Sequence, residues 1–297
     1  MTPISQIPAG ILRGRVLLVT GANRGIGEAT ALAAARLGAT TVLLCRDPDA
    51  GEGARDRIRS ASGNDNVWVV ELDLSSLTSV RRAAAAVTER WPEIHVLVNN
   101  AGVSLKRRRV SADGFEMTLA VNHLGHFLFT NLLVPALRAG APARVVNVGS
   151  RMERFGRIDF DDLDSTRHYN GILAYCQSKL ANTMFTYSLA PRLRDSGVSV
   201  NVVSPGLVAT DLLRDRLWWV RSLWAQVLRT PEQAGETIIQ IAASPALQGI
   251  TSACFSPSAE PARSSRRSYD PGACERLWRV SVERVGLEHG PLAPEHL

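Results

Sequence analysis

The sequence predicts an α/β fold, a doubly wound parallel sheet, formed by a single domain with a C-terminal elaboration. Three observations carry this. Short β-branched runs alternate with longer helical stretches through the first two-thirds of the 297 residues, the pattern of βαβ units. Runs such as VLLVT and HVLVNN are continuously apolar, as strands covered by helices on both faces are. The first strand also passes through a glycine-bearing turn directly into a helical stretch. The 45% hydrophobic and 21% charged content suits a chain that buries a substantial core.

Taken in order, strands are expected at Arg15–Thr20, Thr40–Cys45, Val67–Glu71, His95–Asn99, Arg144–Val148 and Val198–Val203. Between them, helices are expected at Gly27–Leu37, Leu77–Arg90, Gly114–Leu137 and Ala174–Leu193. After Pro205 the alternation stops. Leu212–Leu228 reads as a helix carrying Trp218, Trp219 and Trp224. Pro231–Ala243 follows, with Thr230 as its N-cap and Pro231 at its first position. Ser256–Ala273, rich in Ser, Pro, Arg and Gly, reads as a loop. Cys274–Val285 is a last amphipathic segment, ahead of a Pro- and Gly-containing tail expected to be disordered. There is no internal repeat.

Charge and cysteine usage exclude several classes. The formal charge is +6, with only two lysines, Lys106 and Lys179, among 34 basic residues. The arginines are scattered rather than gathered into a stripe with interleaved aromatics, so no nucleic-acid partner is expected. The run Val16–Val19 is too short to span a bilayer, and no charged n-region leads a long apolar stretch at the N-terminus. The four cysteines form no CxxC pair; Cys45, Cys176 and Cys254 read as strand or helix fillers and Cys274 as part of a tail. A reducing cytoplasm is the expected setting. His123 and His126 flank Gly125 without a matching carboxylate or cysteine set, so packing or polar roles are expected and no metal.

The segment VLLVTGANRGIGEATALAAARLG is a strand, a turn and a helix, with Gly21, Gly25 and Gly27 spaced GxxxGxG. Glycines there permit a tight turn and let the backbone approach a pyrophosphate at the positive helix N-terminus. The second strand ends TTVLLCRD, placing Arg46 where an acidic residue would otherwise bind the adenosine ribose. Arg24 can converge on the same point, and two arginines facing a 2′-phosphate give charge-assisted bonds. This favours NADP(H) over NAD(H). Asp47 is the next residue, so one position of register separates that reading from a ribose-binding carboxylate.

Tyr175 and Lys179 form a Tyr-x-x-x-Lys pair, which an α-helix brings to one face. With four tyrosines and two lysines in the chain, such a pairing arises by chance with a probability of about 0.03. A free phenol has a pKa near 10, and a lysine cation nearby favours the phenolate. A shift of two to three units, about 3–4 kcal/mol, would make tyrosine a usable acid for carbonyl reduction and base for alcohol oxidation.

Together TGANRGIG, the NNAG of Asn99–Gly102, Asn122 in VNHLGHF, Ser150 after VVNVG, and YCQSK resemble the short-chain dehydrogenase/reductase family. The runs CRD, LDLSS, DGFE, VNHLGHF and AYCQSKLAN are most similar to its retinol dehydrogenase-like branch. The resemblance runs from about Gly14 to Gly206 and more loosely to Val285. It implies a Rossmann-type fold, proton transfer by Tyr175, and Lys179 holding the nicotinamide ribose and lowering the phenol pKa. Ser150 would bond the carbonyl oxygen, and Asn122 would hold a water behind Lys179. For the cofactor it implies Gly21, Asn23, Arg24, Gly25, Ile26 and Gly27 at the pyrophosphate. Arg46 would lie at the 2′-phosphate, and Asp73 and Leu74 at the adenine. Asn100, Ala101 and Gly102 would line the adenosine side, with Pro205, Gly206 and Thr210 near the carboxamide. Taken singly, Ser150 also reads as a helix cap and Asn122 as a buried structural amide.

The implied layout is an N-terminal arm at 1–13 and a cofactor-binding and catalytic domain at 14–256, with a lid at about 207–230. A C-terminal loop, helix and tail at 257–297 complete it. The 25 positions between Ser150 and Tyr175 match the longer loop of that branch, whereas the apolar N-terminal anchor of its membrane-bound members has no counterpart. The lid tryptophans suit an apolar carbonyl or alcohol substrate, and equally a core or dimer contact. The Lys106–Arg109 cluster reads either as a solvated run or as a rim steering an anionic substrate. A homodimer or homotetramer is the family expectation. Two other functions compete: a catalytically idle NADP(H) sensor, for which an Asn-Ser-Tyr-Lys set would be superfluous, and a sugar-nucleotide epimerase or dehydratase, for which too few C-terminal residues are left.

Overall fold

The computed structural model describes residues 7–208 and 228–287. Eight strands form one sheet: β1 Val16–Thr20, β2 Thr40–Cys45, β3 Val67–Glu71, β4 Val96–Asn99, β5 Ala143–Val148, β6 Val198–Val203, β7 Cys254–Phe255 and β8 Pro261–Ala262. Their order is β3-β2-β1-β4-β5-β6-β7-β8. The first seven strands are parallel, and β8 returns antiparallel along the edge. The direction of winding reverses at β1, which pairs with β2 on one side and β4 on the other. In such a sheet the crevice at the carboxyl ends of the strands beside that reversal is where ligands bind.

Helices cover both faces. On one side α1 Gly25–Arg36, α2 Pro48–Ser62 and a later helix, Pro231–Ala243, enclose a core of Leu17, Val19, Leu43, Ile58 and Ile238. On the other lie α3 Leu77–Arg90, the composite α4 Met117–Leu119 and α5 Gly125–Ala139, and α6 Gly171–Arg192. Numbering the helix Pro231–Ala243 α7 and the last, Pro271–Val285, α8, α8 joins this second layer. There Trp278 packs edge-on against Phe127 at 4.9 Å and stacks near Phe185 at 6.1 Å.

Most expected elements stand within a residue or three, and α7 has the predicted Thr230 cap, closed into a capping box by Gln233. Four details differ. Helix α2 has no apolar face long enough to announce itself; only Gly51, Ala54 and Ile58 are buried. The expected loop Ser256–Ala273 contains β8, which a tight turn folds back on β7: Ser256 N donates to the Glu260 carbonyl at 2.8 Å. Pro261 is tolerated there because an edge strand leaves one side unpaired. Cys274 is buried within α8, whose start is set three residues earlier by the Asp270 cap and Pro271, so it does not lie in a tail. Finally, the expected helix Gly114–Leu137 begins at Met117 and is widened to a π turn over Ala120–Leu124. Among the described residues no helix is long and apolar enough to cross a membrane.

Candidate active site

The turn after β1 holds its shape through close backbone approach. Gly21 and Gly25 have φ of +65° and +58°, the left-handed region that glycine enters without strain. A Cβ on Gly27 would lie 2.2 Å from the Gly21 carbonyl oxygen, so the first turn of α1 packs directly on the loop. Asn23 and Ile26 are half-buried within it, and the Arg24 side chain is exposed at the N-cap position of α1. The amide of Asn100 reaches across from β4 to donate to the Thr20 carbonyl at 2.9 Å. The backbone N–H groups of Asn100 and Ala101 both donate to Thr20 Oγ1 at 2.9 Å. Thus the turns after β1 and β4 are tied together beside the crevice, leaving an anion-accepting helix N-terminus at its floor.

At the end of β2 the structure separates the two side chains that one position of register had confounded. Asp47 caps α2, its carboxylate accepting from Ala50 N at 3.1 Å, while Arg46 is exposed. Asp73, beyond β3, accepts from the Ser75 amide and hydroxyl at 2.9 and 2.6 Å. Leu74 is buried, and a Cβ on Gly125 would come within 2.4 Å of its carbonyl oxygen, so α5 rests against this loop.

Four side chains proposed for the chemistry converge at the ends of β4 and β5. Lys179 is buried on α6, and its Nζ donates to the Val148 carbonyl at 2.8 Å and lies 5.7 Å from the Tyr175 ring centroid. Gly102 faces the same ammonium: a Cβ there would sit 3.7 Å from Nζ and 3.4 Å from Asn122 Oδ1. Ser150 lies beside the Tyr175 hydroxyl and also accepts from Met152 N at 3.2 Å, capping the 3₁₀ turn Arg151–Phe155. The cap and the site contact therefore coexist in one hydroxyl. Asn122 is buried in the π turn; Oδ1 accepts from Val103 N at 2.8 Å, and Nδ2 donates to the Val103 carbonyl and to Ser178 Oγ. Both amide protons are thereby spent, and a water held at Asn122 would have to be held by an oxygen.

Electrostatics depart from the expected picture. Burial pushes the Tyr175 phenol up to about 12, an increase the neighbouring Ser150 hydroxyl opposes, and burial pushes Lys179 down to about 8. The expected lowering of the phenol by Lys179 does not show here, where loss of solvent is the largest influence on so enclosed a phenol. At neutral pH the pair is a phenol beside an ammonium.

Sequence reasoning left two contributors unnamed, Thr20 and Arg229, and gave a third, His126, only a packing or polar role. Thr20 and His126 join the two cofactor-side turns to the Asn122 turn, with His126 Nε2 2.8 Å from Thr20 Oγ1. Arg229 clamps the loop at Pro205 and Gly206: its Nη1 donates to the Pro205 carbonyl at 2.8 Å and its backbone N–H to the Leu207 carbonyl. Only His126, four residues after Asn122 and so on the same helical face, carried a readable spacing. Thr210 and the three lid tryptophans lie outside the described residues. In the basic cluster, Arg108 is half-buried and donates to the Asp164 carbonyl, whereas Lys106, Arg107 and Arg109 are exposed. A separate cavity of about 740 Å³ opens at the far end of the sheet, beside Arg15, His95 and Arg144, and touches none of these groups.

Comparison with known proteins agrees with this geometry. The short chain dehydrogenase family model matches residues 15–220. Human retinol dehydrogenase 11 is 42% identical over 281 residues, 93% of this chain and 87% of that protein. Among solved structures, an uncharacterized protein from Mycobacterium paratuberculosis matches with a TM-score of 0.78 at 35% identity, over 96% of this chain and 97% of its own. The Pseudomonas aeruginosa RhlG/NADP active-site complex matches with a TM-score of 0.70 at 29% identity, over 84% of this chain and 96% of that one. A match that begins before β1 and runs past β6, together with relatives alike over nearly the full length, makes this chain a member of the short-chain dehydrogenase/reductase family, in its retinol dehydrogenase-like branch, and an oxidoreductase.

Proposed function

We propose that the protein is an NADP(H)-dependent oxidoreductase that interconverts a ketone or aldehyde and its alcohol on an apolar small molecule, with Tyr175 as general acid and base. The observation that carries this is the meeting of Tyr175, the Lys179 ammonium 5.7 Å from its ring and the Ser150 hydroxyl at the ends of β4 and β5.

The residues present fit a dinucleotide. The Gly21–Gly27 turn forms a backbone cradle at a helix N-terminus that a Cβ would obstruct. Arg46 and Arg24 are exposed beside it, and Asp47 is committed to capping α2. That arrangement favours a 2′-phosphate. When bound, the cofactor supplies or accepts the hydride.

The chain's own residues do the rest. Ser150 donates to the substrate oxygen, where negative charge develops during reduction. Tyr175, fully protonated at neutral pH, gives its proton to that oxygen, and Lys179 stabilises the phenolate left behind. In oxidation the same proton returns to Tyr175. Asn122 holds the π turn behind Lys179 through its bonds to Val103 and Ser178. The substrate class follows from what surrounds these groups. Phe155, Ile172, Leu173 and Leu207 are exposed apolar side chains on the segments that carry Ser150, Tyr175 and Gly206. A greasy rim of this kind suits an apolar substrate. Retinal belongs in the first panel because of the kinship with a retinol dehydrogenase.

The test is NADPH consumption over bulky ketones and aldehydes, with NADH as control and Tyr175→Phe alongside. Turnover that prefers NADPH and falls by about 10²–10⁴-fold in the variant is expected. Turnover unchanged by Tyr175→Phe would sink the assignment.

A further inference from the structure

His126 is buried on α5, one turn after Asn122, and bonds on both ring nitrogens. Nε2 is 2.8 Å from Thr20 Oγ1, and Nδ1 is 3.0 Å from the Asn122 carbonyl oxygen. Counting hydrogens fixes its state. A threonine hydroxyl has one proton and two lone pairs. The amides of Asn100 and Ala101 both donate to Thr20 Oγ1 and occupy its two lone pairs, the Asn100 amide reaching the Val98 carbonyl as well at 3.1 Å. Its proton must therefore go to His126, whose Nε2 is bare. The Asn122 carbonyl can only accept, so Nδ1 carries the ring proton. An imidazolium would present a third donor to Thr20 Oγ1, which has no lone pair left for it. Burial, with the Lys179 charge adding to it, agrees by holding this imidazole down at about 4.

We propose that His126 is a positioning residue: a neutral, Nδ1-protonated imidazole that locks the Asn100–Ala101 turn to the widened turn carrying Asn122. The inference rests on the oxidoreductase reading and deepens it. Each arm serves a different half of the site. Through Nε2 the ring fixes the Thr20 hydroxyl and so the two amides that open the turn leading to Gly102, on the cofactor side. Through Nδ1 it holds the Asn122 carbonyl where the Gly125 amide has reached back five residues to Ala120 instead of four. The widened turn departs from the regular ladder, and the imidazole adds a side-chain donor within it.

Nitrogen-15 labelling of the histidines in the full-length protein reads the tautomer directly, because bare and protonated ring nitrogens resonate far apart. His126, assigned by its loss in His126→Gln, is expected to show a protonated Nδ1 and a bare Nε2, with no titration between pH 8 and 5.5. A protonated Nε2, or titration near 6.5, would overturn the proposal. Kinetics then separates the arms. Asparagine places an amide N–H near the position of Nδ1, and glutamine places an oxygen near that of Nε2. His126→Asn is expected to lose about five- to tenfold mainly in KM for NADPH, and His126→Gln a similar factor mainly in kcat. Equal losses in both constants for both variants would mean generic packing and count against the assignment. If the wild-type protein turned over no carbonyl, the oxidoreductase reading would fail, while the tautomer, measured without substrate, would still stand or fall alone.

Discussion

The two faces of the sheet share close glycine approaches, as Gly125 on α5 shows, and differ in the polar groups they bury. Beneath α1, α2 and α7 the packing depends on missing side chains. A Cβ on Gly235 would lie 2.8 Å from the backbone of Ala29 and Thr30, and one on Gly51 would lie 2.7 Å from Val69 Cγ1. The opposite face buries polar groups in a connected set. Asn99 Nδ2 donates to Thr130 Oγ1 and Asn147 Oδ1 at 2.8 Å, and Asn147 Nδ2 donates to Thr186 Oγ1 at 2.9 Å, joining α5, β4, β5 and α6. Close approach lets the first face bring backbone N–H groups near a phosphate. Hydrogen-bonded polar groups let the second hold a phenol, an ammonium and an amide in fixed positions, although Asn99 Oδ1 has no partner among the described residues. On the proposed function, binding and chemistry are divided between the layers, with the bond between His126 and Thr20 joining α5 to the end of β1.

Acid should break the second face first. His123 and His126 are both buried, and loss of solvent holds them down at about 3 and about 4. Around His123 the facing groups are Ser281, Asn182, His126 and the Phe127 and Phe185 rings; around His126 they are Thr20, Asn122 and Lys179. Native pKa values below the unfolded value near 6.5 mean that the unfolded chain binds more protons. Their stabilising contribution is therefore complete above pH 6.5 and declines as pH falls toward 4. Each histidine should cost about 1.4 kcal/mol per pH unit within that window. Urea melts at pH 7, 6 and 5 read this directly, and His123→Phe should shed one histidine's share of the slope. A flat profile from 7 to 5 would show that the native state protonates these rings freely.

The first face should break by crowding. Gly235→Val inserts a side chain where α7 meets the backbone of α1. Overpacking of this kind costs about 1–3 kcal/mol. Because α1 also presents its N-terminus to the Gly21–Gly27 turn, KM for NADPH should rise with the loss of stability while kcat stays near wild type. A thermal melt paired with steady-state kinetics checks both. A fall in kcat alone would mean that the layers are not separable in this way.

How much of this was legible depends on the kind of signal each residue leaves. The strands were readable because burial on both faces makes them uniformly apolar, and Tyr175 and Lys179 because lysine is so scarce here. Helix α2 escaped because its buried positions are few, although Asp47, Pro48 and the left-handed Gly63 announce its ends. The shift in the Tyr175 phenol was not legible, since burial is a property of the assembled layers and not of an i,i+4 pair. Arg229 works through Pro205, about two dozen residues away, so no local pattern points to it, and the i,i+4 spacing of Asn122 and His126 says nothing of Thr20, about a hundred residues away.

The smallest expected effect sharpens the contrast at one spot, the end of β2, where adjacent residues serve different ends. Asp47 stabilises α2 through its bond to Ala50 N, and Arg46 stands exposed beside the cofactor turn. Asp47→Ala should therefore lower stability by about 1 kcal/mol and leave the ratio of kcat/KM for NADPH over NADH unchanged. Arg46→Ala should do the reverse. A charge-assisted bond to a 2′-phosphate contributes about 1.5–3 kcal/mol at full strength, and exposure to solvent reduces that toward the lower bound. About a tenfold loss in kcat/KM for NADPH is expected, with NADH nearly unaffected and the melting temperature unmoved. High salt should shrink the difference, because the interaction is exposed to screening. If Asp47→Ala changed cofactor preference instead, the carboxylate would be facing the ribose in solution, and the assignment of Arg46 to the phosphate would have to be abandoned.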